Sequence, residues 1–295
     1  MLFKRKTPFR DAWWKKSIRI FGYIVAITTV FLIFTGPVED SRDEVRIIPI
    51  TGTIYSGSDS FSMDTFSDEV IAQIEFAQED PKIKAVVLEI NSPGGTVVGS
   101  REISTAVENF DKPIVAWMRE NAASGAYWIA SSTDHIVADP ATTTGSIGVT
   151  GSYLQFSGLL DDYNVTYERF VSGEYKDTGT PFKEVSDNER DLLQRKINLL
   201  NDMFIDHIAT SRNLSTVYVR DNADGQIFLG IEALNKRLVD SLGGKEEAIN
   251  IAAEMAEMAD YQVTKYERPT SFVDRLIYGK NNNELLSQTS FGARA

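Results

Sequence analysis

The stretch that decides the fold is Ile83–Thr96, IKAVVLEINSPGGT, in which a short apolar run meets a pair of glycines. The β-branched residues of Ile83–Ile90 predict a buried β-strand. The run ends at Pro93-Gly94-Gly95, and the pattern that follows predicts a helix over Thr96–Phe110. A strand that passes through a glycine turn into a helix is typical of a βαβ unit with parallel strands.

Apolar runs and helical patterns alternate on both sides of this stretch. The periodicity predicts strands over 45–50, 114–117, 135–138 and 165–171, an extended piece over 146–149, and helices over 62–78, 122–132, 187–212, 231–236 and 245–258. Strands that alternate with helices predict an α/β fold with a parallel sheet and right-handed crossovers. Functional groups are then expected in loops at the carboxyl ends of the strands.

The composition excludes several classes of function. The chain has 295 residues, of which 42% are hydrophobic and 24% charged, as in an ordinary globular protein. It contains no cysteine, which excludes disulfide scaffolds, Cys-ligated zinc and cysteine nucleophiles. Two histidines are too few for a multi-histidine metal site, and a net charge of −12 disfavours nucleic-acid binding. We therefore expect no metal, no cofactor and no nucleic-acid partner.

The first 36 residues differ from the rest of the chain in charge. They hold seven cations and one anion, whereas residues 37–295 hold 23 cations and 41 anions. Ile20–Gly36 has no charged residue over 17 positions, which is the short end of the ~17–25 residues that cross a bilayer. The pattern predicts a basic cytoplasmic tail over 1–19, a transmembrane anchor over 20–36 and an extracytoplasmic remainder in the cell membrane.

Two alternatives to the anchor stay open. A cleaved signal peptide requires small residues before the cut, and the sequence FLIFTGPVED at 31–40 has no A-x-A pattern. A buried core helix would not explain the basic residues that precede the apolar segment. We predict an uncleaved single-pass anchor, then a linker over 37–44, a globular domain over 45–260 and a polar C-terminal tail over 261–295 whose end is frayed.

Two glycine-containing turns are candidate sites. The turn at 91–96 can present backbone N–H groups to an anion, although an ordinary strand-to-helix turn has the same pattern. It matches neither a P-loop nor a three-glycine dinucleotide site. The turn at 121–128 places Ser124 at a helix N-terminus, where the helix dipole favours developing negative charge. Alternatively, Ser124 is merely an N-cap; the pattern G-x-S-x-G is absent.

A serine nucleophile requires a general base. His135 lies in a β-branched run and His207 is predicted at the surface of a long helix, so neither is well placed. The alternative is a lysine whose pKa falls from ~10.4 to ~7–8 by desolvation. Lys176, in SGEYKDTG at 172–179, is the candidate and Lys183 is its rival. Composition alone does not choose between them.

These motifs together resemble the signal peptide peptidase A family, membrane-anchored serine peptidases related to Clp protease. The resemblance covers Val45–Met258 and rests on the order and spacing of NSPGG at 91–95, ASGAYWIAS at 123–131, DHIVADPATTTGSIGV at 134–149, SGEYKDTGTPF at 172–182 and DGQIFLGIEALNKRLVDSLGG at 224–244. It implies a Clp protease/crotonase-like fold of repeated ββα units, with a parallel sheet and flanking helices. The domain over 45–260 is then a Ser/Lys peptidase.

The resemblance also implies roles for individual residues. Ser124 matches the nucleophile, Lys176 the general base, and Ser146 a serine that positions the lysine amine. The oxyanion hole is matched by the backbone N–H groups of Gly94, Gly95 and Gly125. Each such donor is typically worth ~2.7–4 kcal/mol in the transition state.

The resemblance further implies a ring- or dome-shaped homo-oligomer at the membrane. In short members of the family, the serine and the lysine of one site come from neighbouring subunits. The implied substrates are remnant signal peptides and other small hydrophobic or unfolded peptides. Two other classes stay open. One is a crotonase-like acyl-CoA enzyme, which the extracytoplasmic placement disfavours. The other is a non-catalytic scaffold, which would need only the oligomer and the anchor.

Overall fold

The apolar run that begins at Ile83 forms a strand in the middle of the main sheet. The structure is a computed structural model that describes residues 21–23, 25, 42–59, 62 and 64–267. Its strands are β1 (Asp43–Thr51), β2 (Ile54–Tyr55), β3 (Thr65–Phe66), β4 (Ile83–Ser92), β5 (Ile114–Ala123), β6 (His135–Ala138), β7 (Thr143–Gly145), β8 (Ile227–Leu229), β9 (Ser241–Leu242) and β10 (Tyr261–Lys265). Its helices are α1 (Ser67–Glu79), α2 (Val97–Glu108), α3 (Gly125–Ser131), α4 (Ser157–Asp162), α5 (Asp187–Ser211), α6 (Thr216–Asp221), α7 (Gly230–Asn235) and α8 (Lys245–Met255).

The main sheet has the order β10-β1-β4-β5-β6-β9, and every pair of neighbours in it is parallel. The short strand β7 pairs parallel with the end of β5 and antiparallel with β8. A second sheet pairs β2 with β3, and Ile54 of β2 also bridges to Gly95. The predicted α/β fold with a largely parallel sheet is confirmed, and the arrangement fits a Clp protease/crotonase-like fold.

Helices cover both faces of the sheet, so its central strands are buried almost throughout. Alternate residues of a strand face opposite sides. On β4, Val86 and Leu88 belong to the larger core, which also contains apolar residues of α1, α2, α3 and α5. Ala85 and Val87 belong to the smaller core beneath α8. The larger core is the one that surrounds α3, the helix that follows Ser124.

Several predicted elements differ from the observed ones. The strand predicted over 114–117 continues to Ala123, so the first residues of the helix predicted from 122 are strand. The extended piece predicted over 146–149 is wrong, because the strand lies at Thr143–Gly145. The strand predicted over 165–171 is also wrong, since these residues are exposed and pair with no strand of the described chain. Their β-propensity has no neighbouring strand to act on.

The sheet includes part of the predicted polar tail. Strand β10 lies beyond the domain boundary predicted at residue 260 and pairs with β1, from Asp43 opposite Tyr261 to Ile47 opposite Lys265. The Lys265 Nζ lies 2.5 Å from Oε2 of Glu89, whose side chain is buried in the middle of the sheet. A polar strand is therefore held at the sheet edge by backbone pairing and by an ion pair with a distant residue.

The anchor predicted over 20–36 lies outside the described residues except for positions 21–23 and 25. The tail over 1–19 and positions 37–41 of the linker also lie outside them. Within the part of the chain that the structure describes, no helix is both long enough and apolar enough to cross a membrane. The anchor therefore stays a prediction.

Candidate active site

Ser124 joins β5 to α3 with an unusual backbone conformation, φ +54° and ψ −122°. Contacts of the Cβ atom disfavour positive φ in any residue other than glycine. Such a conformation costs ~1–3 kcal/mol and is found mainly at functional sites. Ser124 is the N-cap of α3, yet its side chain makes no capping hydrogen bond. The simple N-cap interpretation is therefore not supported, and the hydroxyl has no role in the helix.

Neighbouring elements hold the strained turn in place. The Ser124 N–H donates to the Gly145 carbonyl at 2.8 Å, and the Trp128 N–H donates to the Ser124 carbonyl at 3.0 Å. All residues of α3 are buried. The Trp128 ring stacks on Phe204 of α5 with the ring centroids 4.4 Å apart. Because α3 is fixed on all sides, its first turn cannot relax without disturbing the core.

The glycine turn after β4 packs directly against the Ser124 turn. A Cβ atom on Gly94, where φ is +99°, would lie 2.7 Å from both the Ala123 carbonyl oxygen and the Gly125 nitrogen. A Cβ atom on Gly95 would lie 2.0 Å from the Ile54 carbonyl oxygen. Only glycine permits these approaches. The two turns that the sequence predicts separately therefore form one site at the carboxyl ends of β4 and β5.

The amide groups of this site differ in their availability. The Gly94 N–H donates to the Ser92 hydroxyl at 3.1 Å, so it is already used. The N–H groups of Gly95 and Gly125 have no hydrogen-bond acceptor among the described residues. They are also close together, because a Cβ atom on Gly125 would lie 3.3 Å from the Gly95 nitrogen. The pair Gly95 and Gly125 is thus available to bind an oxyanion, while Gly94 allows the close approach.

Ser146 lies beside Ser124 through the pairing of β5 with β7. Ala123 is opposite Gly145 in this parallel ladder, and the two serines directly follow these strand ends. Both have positive φ, +54° at Ser124 and +48° at Ser146. The Ser146 N–H donates to the Gln226 carbonyl at 2.7 Å, which fixes the second turn. The structure therefore brings together Ser124, Ser146 and the glycine turn.

Lys176 lies in an exposed segment of the chain. It belongs to residues 150–186, which are largely exposed and contain α4 and a series of turns. Its backbone N–H donates to the Gly173 carbonyl at 3.1 Å, and its side chain is exposed. Among the described residues, no hydrogen bond or ion pair joins Lys176 to Ser124 or Ser146.

The rival base, Lys183, is bound in ion pairs. Its Nζ lies 2.7 Å from Oε1 of Glu189 and 3.2 Å from Oδ1 of Asp177. The hydrogen bond to Glu189, followed by the one to Asp177, raises the pKa of Lys183. A general base must lose its proton near neutral pH, so Lys183 is poorly suited to the role. The structure thus argues against Lys183 as the general base.

The histidines are also remote from Ser124. The prediction that His207 lies at the surface is wrong, because its side chain is only 14% exposed and packs on Trp128. Its Nε2 is 3.1 Å from Oγ of Ser132, at the opposite end of α3 from Ser124. Burial lowers the pKa of His207 to about 4. His135 instead contacts Ser241, with its Nε2 2.9 Å from Oγ.

The comparison with known families decides the assignment. The model for peptidase family S49 matches residues 107–259, which include Ser124, Ser146 and Lys176. The chain belongs to peptidase family S49. The model for the NfeD1b N-terminal domain matches residues 44–153 of this S49 peptidase, which contain the Gly94-Gly95 turn and Ser124.

Curated relatives agree with the S49 assignment. A protein of Enterococcus faecium named as a signal peptide peptidase SppA is 34% identical over 237 residues, covering 78% of this chain and 69% of that protein. A protein of Synechocystis sp. named as a protease is 34% identical over 251 residues, covering 84% of this chain and 87% of that protein. The chloroplastic serine protease SPPA of Arabidopsis thaliana is 30% identical over 249 residues, covering 81% of this chain and 36% of that protein.

The S49 protein is accordingly a serine peptidase that hydrolyses peptide bonds, and the predicted resemblance to the signal peptide peptidase A family is confirmed. This assignment argues against the acyl-CoA enzyme and the non-catalytic scaffold that the sequence left open. Sequence reasoning missed Ser92, whose hydroxyl accepts a hydrogen bond from the Gly94 N–H group. The residue precedes the glycine pair by two positions, and only the turn geometry reveals its contact.

Proposed function

We propose that this S49 peptidase is a membrane-anchored endopeptidase that uses a Ser/Lys dyad, with Ser124 as nucleophile and Lys176 as general base. Its substrates are remnant signal peptides and other small hydrophobic or unfolded peptides, in line with the name of the Enterococcus faecium relative. The observation that carries the proposal is the strained Ser124, whose side chain makes no capping hydrogen bond and which packs against two backbone N–H groups that have no acceptor among the described residues.

In this mechanism the neutral Lys176 amine takes the proton of Ser124 as Oγ attacks the scissile carbonyl. The carbonyl oxygen becomes an oxyanion and accepts hydrogen bonds from the Gly95 and Gly125 N–H groups. The Lys176 ammonium then gives its proton to the leaving amine, and water hydrolyses the acyl-enzyme with Lys176 again as base. Ser146, next to Ser124, holds the lysine amine through its hydroxyl.

We propose that Lys176 serves the Ser124 of a neighbouring subunit in a ring- or dome-shaped homo-oligomer. The support is the exposure of the 150–186 segment, in which large apolar side chains face solvent in the single chain. Phe170 is 91% exposed, Tyr163 75% and Leu154 72%. Such a concentration of exposed apolar side chains marks an interaction site. The anchor over 20–36 would hold this assembly at the cell membrane with the catalytic domain outside the cytoplasm.

The first experiment measures cleavage of a hydrophobic signal-peptide substrate by residues 37–295 and by two variants, Ser124→Ala and Lys176→Ala. Each variant should lose activity by roughly 10³-fold or more, because the dyad acts as a unit. Lys245→Ala, which removes an exposed lysine far along the chain, is the matched control and should keep wild-type activity. An active Lys176→Ala variant would show that the base is another group.

Mixing the two inactive variants tests whether sites are shared between subunits. If Ser124 and Lys176 come from different subunits, a mixture in which subunits exchange should regain part of the activity. A mixture that stays inactive, although its subunits exchange, places the whole dyad in one chain.

A further inference from the structure

The segment that carries Lys176 is held by side chains instead of by strand pairing. Four charged residues lie around this segment: one directly after Lys176, one on each side of it in the sequence, and one on α5. We refer to them as the ion-pair cluster. The cluster consists of Arg169, Asp177, Lys183 and Glu189. Between β7 and α5 the described chain has only the short helix α4, and this cluster connects the Lys176 turn to α5.

Arg169 binds Asp177 through two hydrogen bonds. Its Nε lies 2.5 Å from Oδ2 and its Nη2 lies 2.7 Å from Oδ1. The same Nη2 donates to the Glu174 carbonyl oxygen at 3.1 Å. Asp177 directly follows Lys176 and Glu174 precedes it by two positions, so one guanidinium binds a side chain just after the lysine and a backbone carbonyl just before it. Two-pronged pairing of this kind fixes direction as well as distance.

Lys183 extends the cluster to α5. It bridges Asp177, at 3.2 Å, and Glu189, at 2.7 Å. Glu189 also accepts a hydrogen bond from Thr178 Oγ1 at 3.1 Å, and it completes the capping box of α5 with Ser186. The residues that follow Lys176 are therefore tied to the first turn of α5, a helix that packs on α3 through Phe204.

The two carboxylates are the buried members of an otherwise exposed region. The Asp177 side chain is 11% exposed and that of Glu189 is 4% exposed. The hydrogen bond from Arg169 lowers the pKa of Asp177 to about 2, and the one from Lys183 lowers the pKa of Glu189 to about 2. Both stay charged at any working pH. Two cations balance the two anions, so the ion-pair cluster as a whole carries no net charge.

We propose that Asp177 is a positioning residue that holds Lys176, through Arg169 and Lys183, at the place from which its amine reaches a Ser124 hydroxyl. The proposal rests on the proposed role of Lys176 as general base. An isolated exposed ion pair contributes little to stability, but the Arg169–Asp177 pair is bidentate, partly buried and part of a network. A displacement of about 1 Å at a reacting group lowers the rate by roughly 100-fold.

The test compares Asp177→Asn, Arg169→Gln and the double variant, all in the full chain. Signal-peptide cleavage gives kcat and KM, and hydrogen–deuterium exchange reports the order of residues 163–186. Each single variant should lower kcat by roughly 10–100-fold with KM little changed, and exchange in 163–186 should rise. The double variant should lose much less kcat than the product of the two single losses, because both single variants break the Arg169–Asp177 pair. Glu184→Gln, which removes an exposed carboxylate of the same segment, is the control and should leave kcat unchanged.

Conservative variants separate positioning from loss of folding. Arg169→Lys keeps the charge of a half-exposed side chain but makes only a single hydrogen bond, and it should show the kcat loss in a folded protein. Asp177→Glu should recover part of the kcat lost in Asp177→Asn. Unchanged kcat in Asp177→Asn and Arg169→Lys, with Lys176→Ala inactive, overturns the positioning role alone. An active Lys176→Ala variant overturns the base assignment and the positioning role together.

Discussion

At the scale of single residues, Ser124 combines a strained backbone with a hydroxyl that the helix does not use. Its φ of +54° brings the Cβ atom against the backbone, a cost that glycine does not have. The pairing of β5 with β7 and the buried α3 supply the energy that maintains this conformation. The strain therefore offers a test of the turn that is independent of catalysis.

Ser124→Gly should be more stable than the wild type and inactive. Removing the Cβ atom relieves part of the ~1–3 kcal/mol of backbone strain, partly offset by the greater freedom of glycine in the unfolded chain, for a net gain of about 1 kcal/mol. Urea unfolding measures the difference. Ser124→Ala keeps the Cβ atom and should show no such gain. A Ser124→Gly variant less stable than Ser124→Ala would contradict the strain.

Gly125 should resist substitution for two separable reasons. A Cβ atom there would lie 2.2 Å from Oγ of Ser100, a buried hydroxyl, and 3.3 Å from the Gly95 nitrogen. Gly125→Ala should therefore destabilise the fold by ~1–3 kcal/mol and abolish cleavage. Adding Ser100→Ala should restore much of the stability. It should not restore the activity, because the methyl group introduced at position 125 still lies beside the two backbone N–H groups of the proposed oxyanion hole. An active double variant, assayed alongside Ser100→Ala alone, would argue against Gly95 and Gly125 as oxyanion donors.

At the scale of elements, the contact of α3 with α5 buries a titratable group. His207 lies on α5 against Trp128 of α3, and its Nε2 contacts Ser132 at the end of α3. Burial is the main cause of its lowered pKa, and the charge of Arg101 on α2 acts in the same direction. The contact between α3 and α5, which supports the Ser124 turn, therefore favours the neutral form of the His207 imidazole.

This burial predicts a pH dependence of stability. The pKa of His207 is about 4 in the folded chain and ~6.5 in the unfolded one, so between these values the unfolded chain binds more protons. The free energy of unfolding should accordingly fall as the pH drops from ~6.5 to ~4, by at most roughly 3 kcal/mol from this group. Urea unfolding across this range measures the slope. His207→Gln should flatten it; an equal slope in both proteins would show that other groups cause it.

At the scale of the whole molecule, the single chain leaves the 150–186 segment without a covering partner among the described residues. If a second copy covers it, removing one large apolar side chain should weaken the assembly. Phe170→Ser should shift the protein toward monomers in sedimentation velocity and lower the activity in parallel, since each site would lose the Lys176 of its neighbour. Leu199→Ser, which replaces another exposed apolar side chain, on α5, is the control. An unchanged oligomer in Phe170→Ser would place the interface elsewhere.

The sequence by itself determined the elements whose pattern is local. The apolar run at Ile83–Ile90, the glycine pair after it and the periodic helix at 187–212 report burial through residues that are neighbours in the chain. The family resemblance and the candidate residues Ser124, Ser146 and Lys176 also follow from motifs read along the sequence. The α/β fold class and the peptidase assignment could therefore be reached without coordinates.

Only the tertiary structure decided how distant segments meet. Strand β10 is polar and pairs with β1 across more than two hundred residues, whereas 165–171 has β-propensity and no strand to pair with. The hydrogen bond from the Gly94 N–H group to Ser92 depends on the conformation of a turn. The ion pairs of Lys183 likewise depend on where the chain brings its carboxylates. Pairing and pKa values are set by neighbours in space, so a pattern along the chain predicts which residues are present but not which groups they contact.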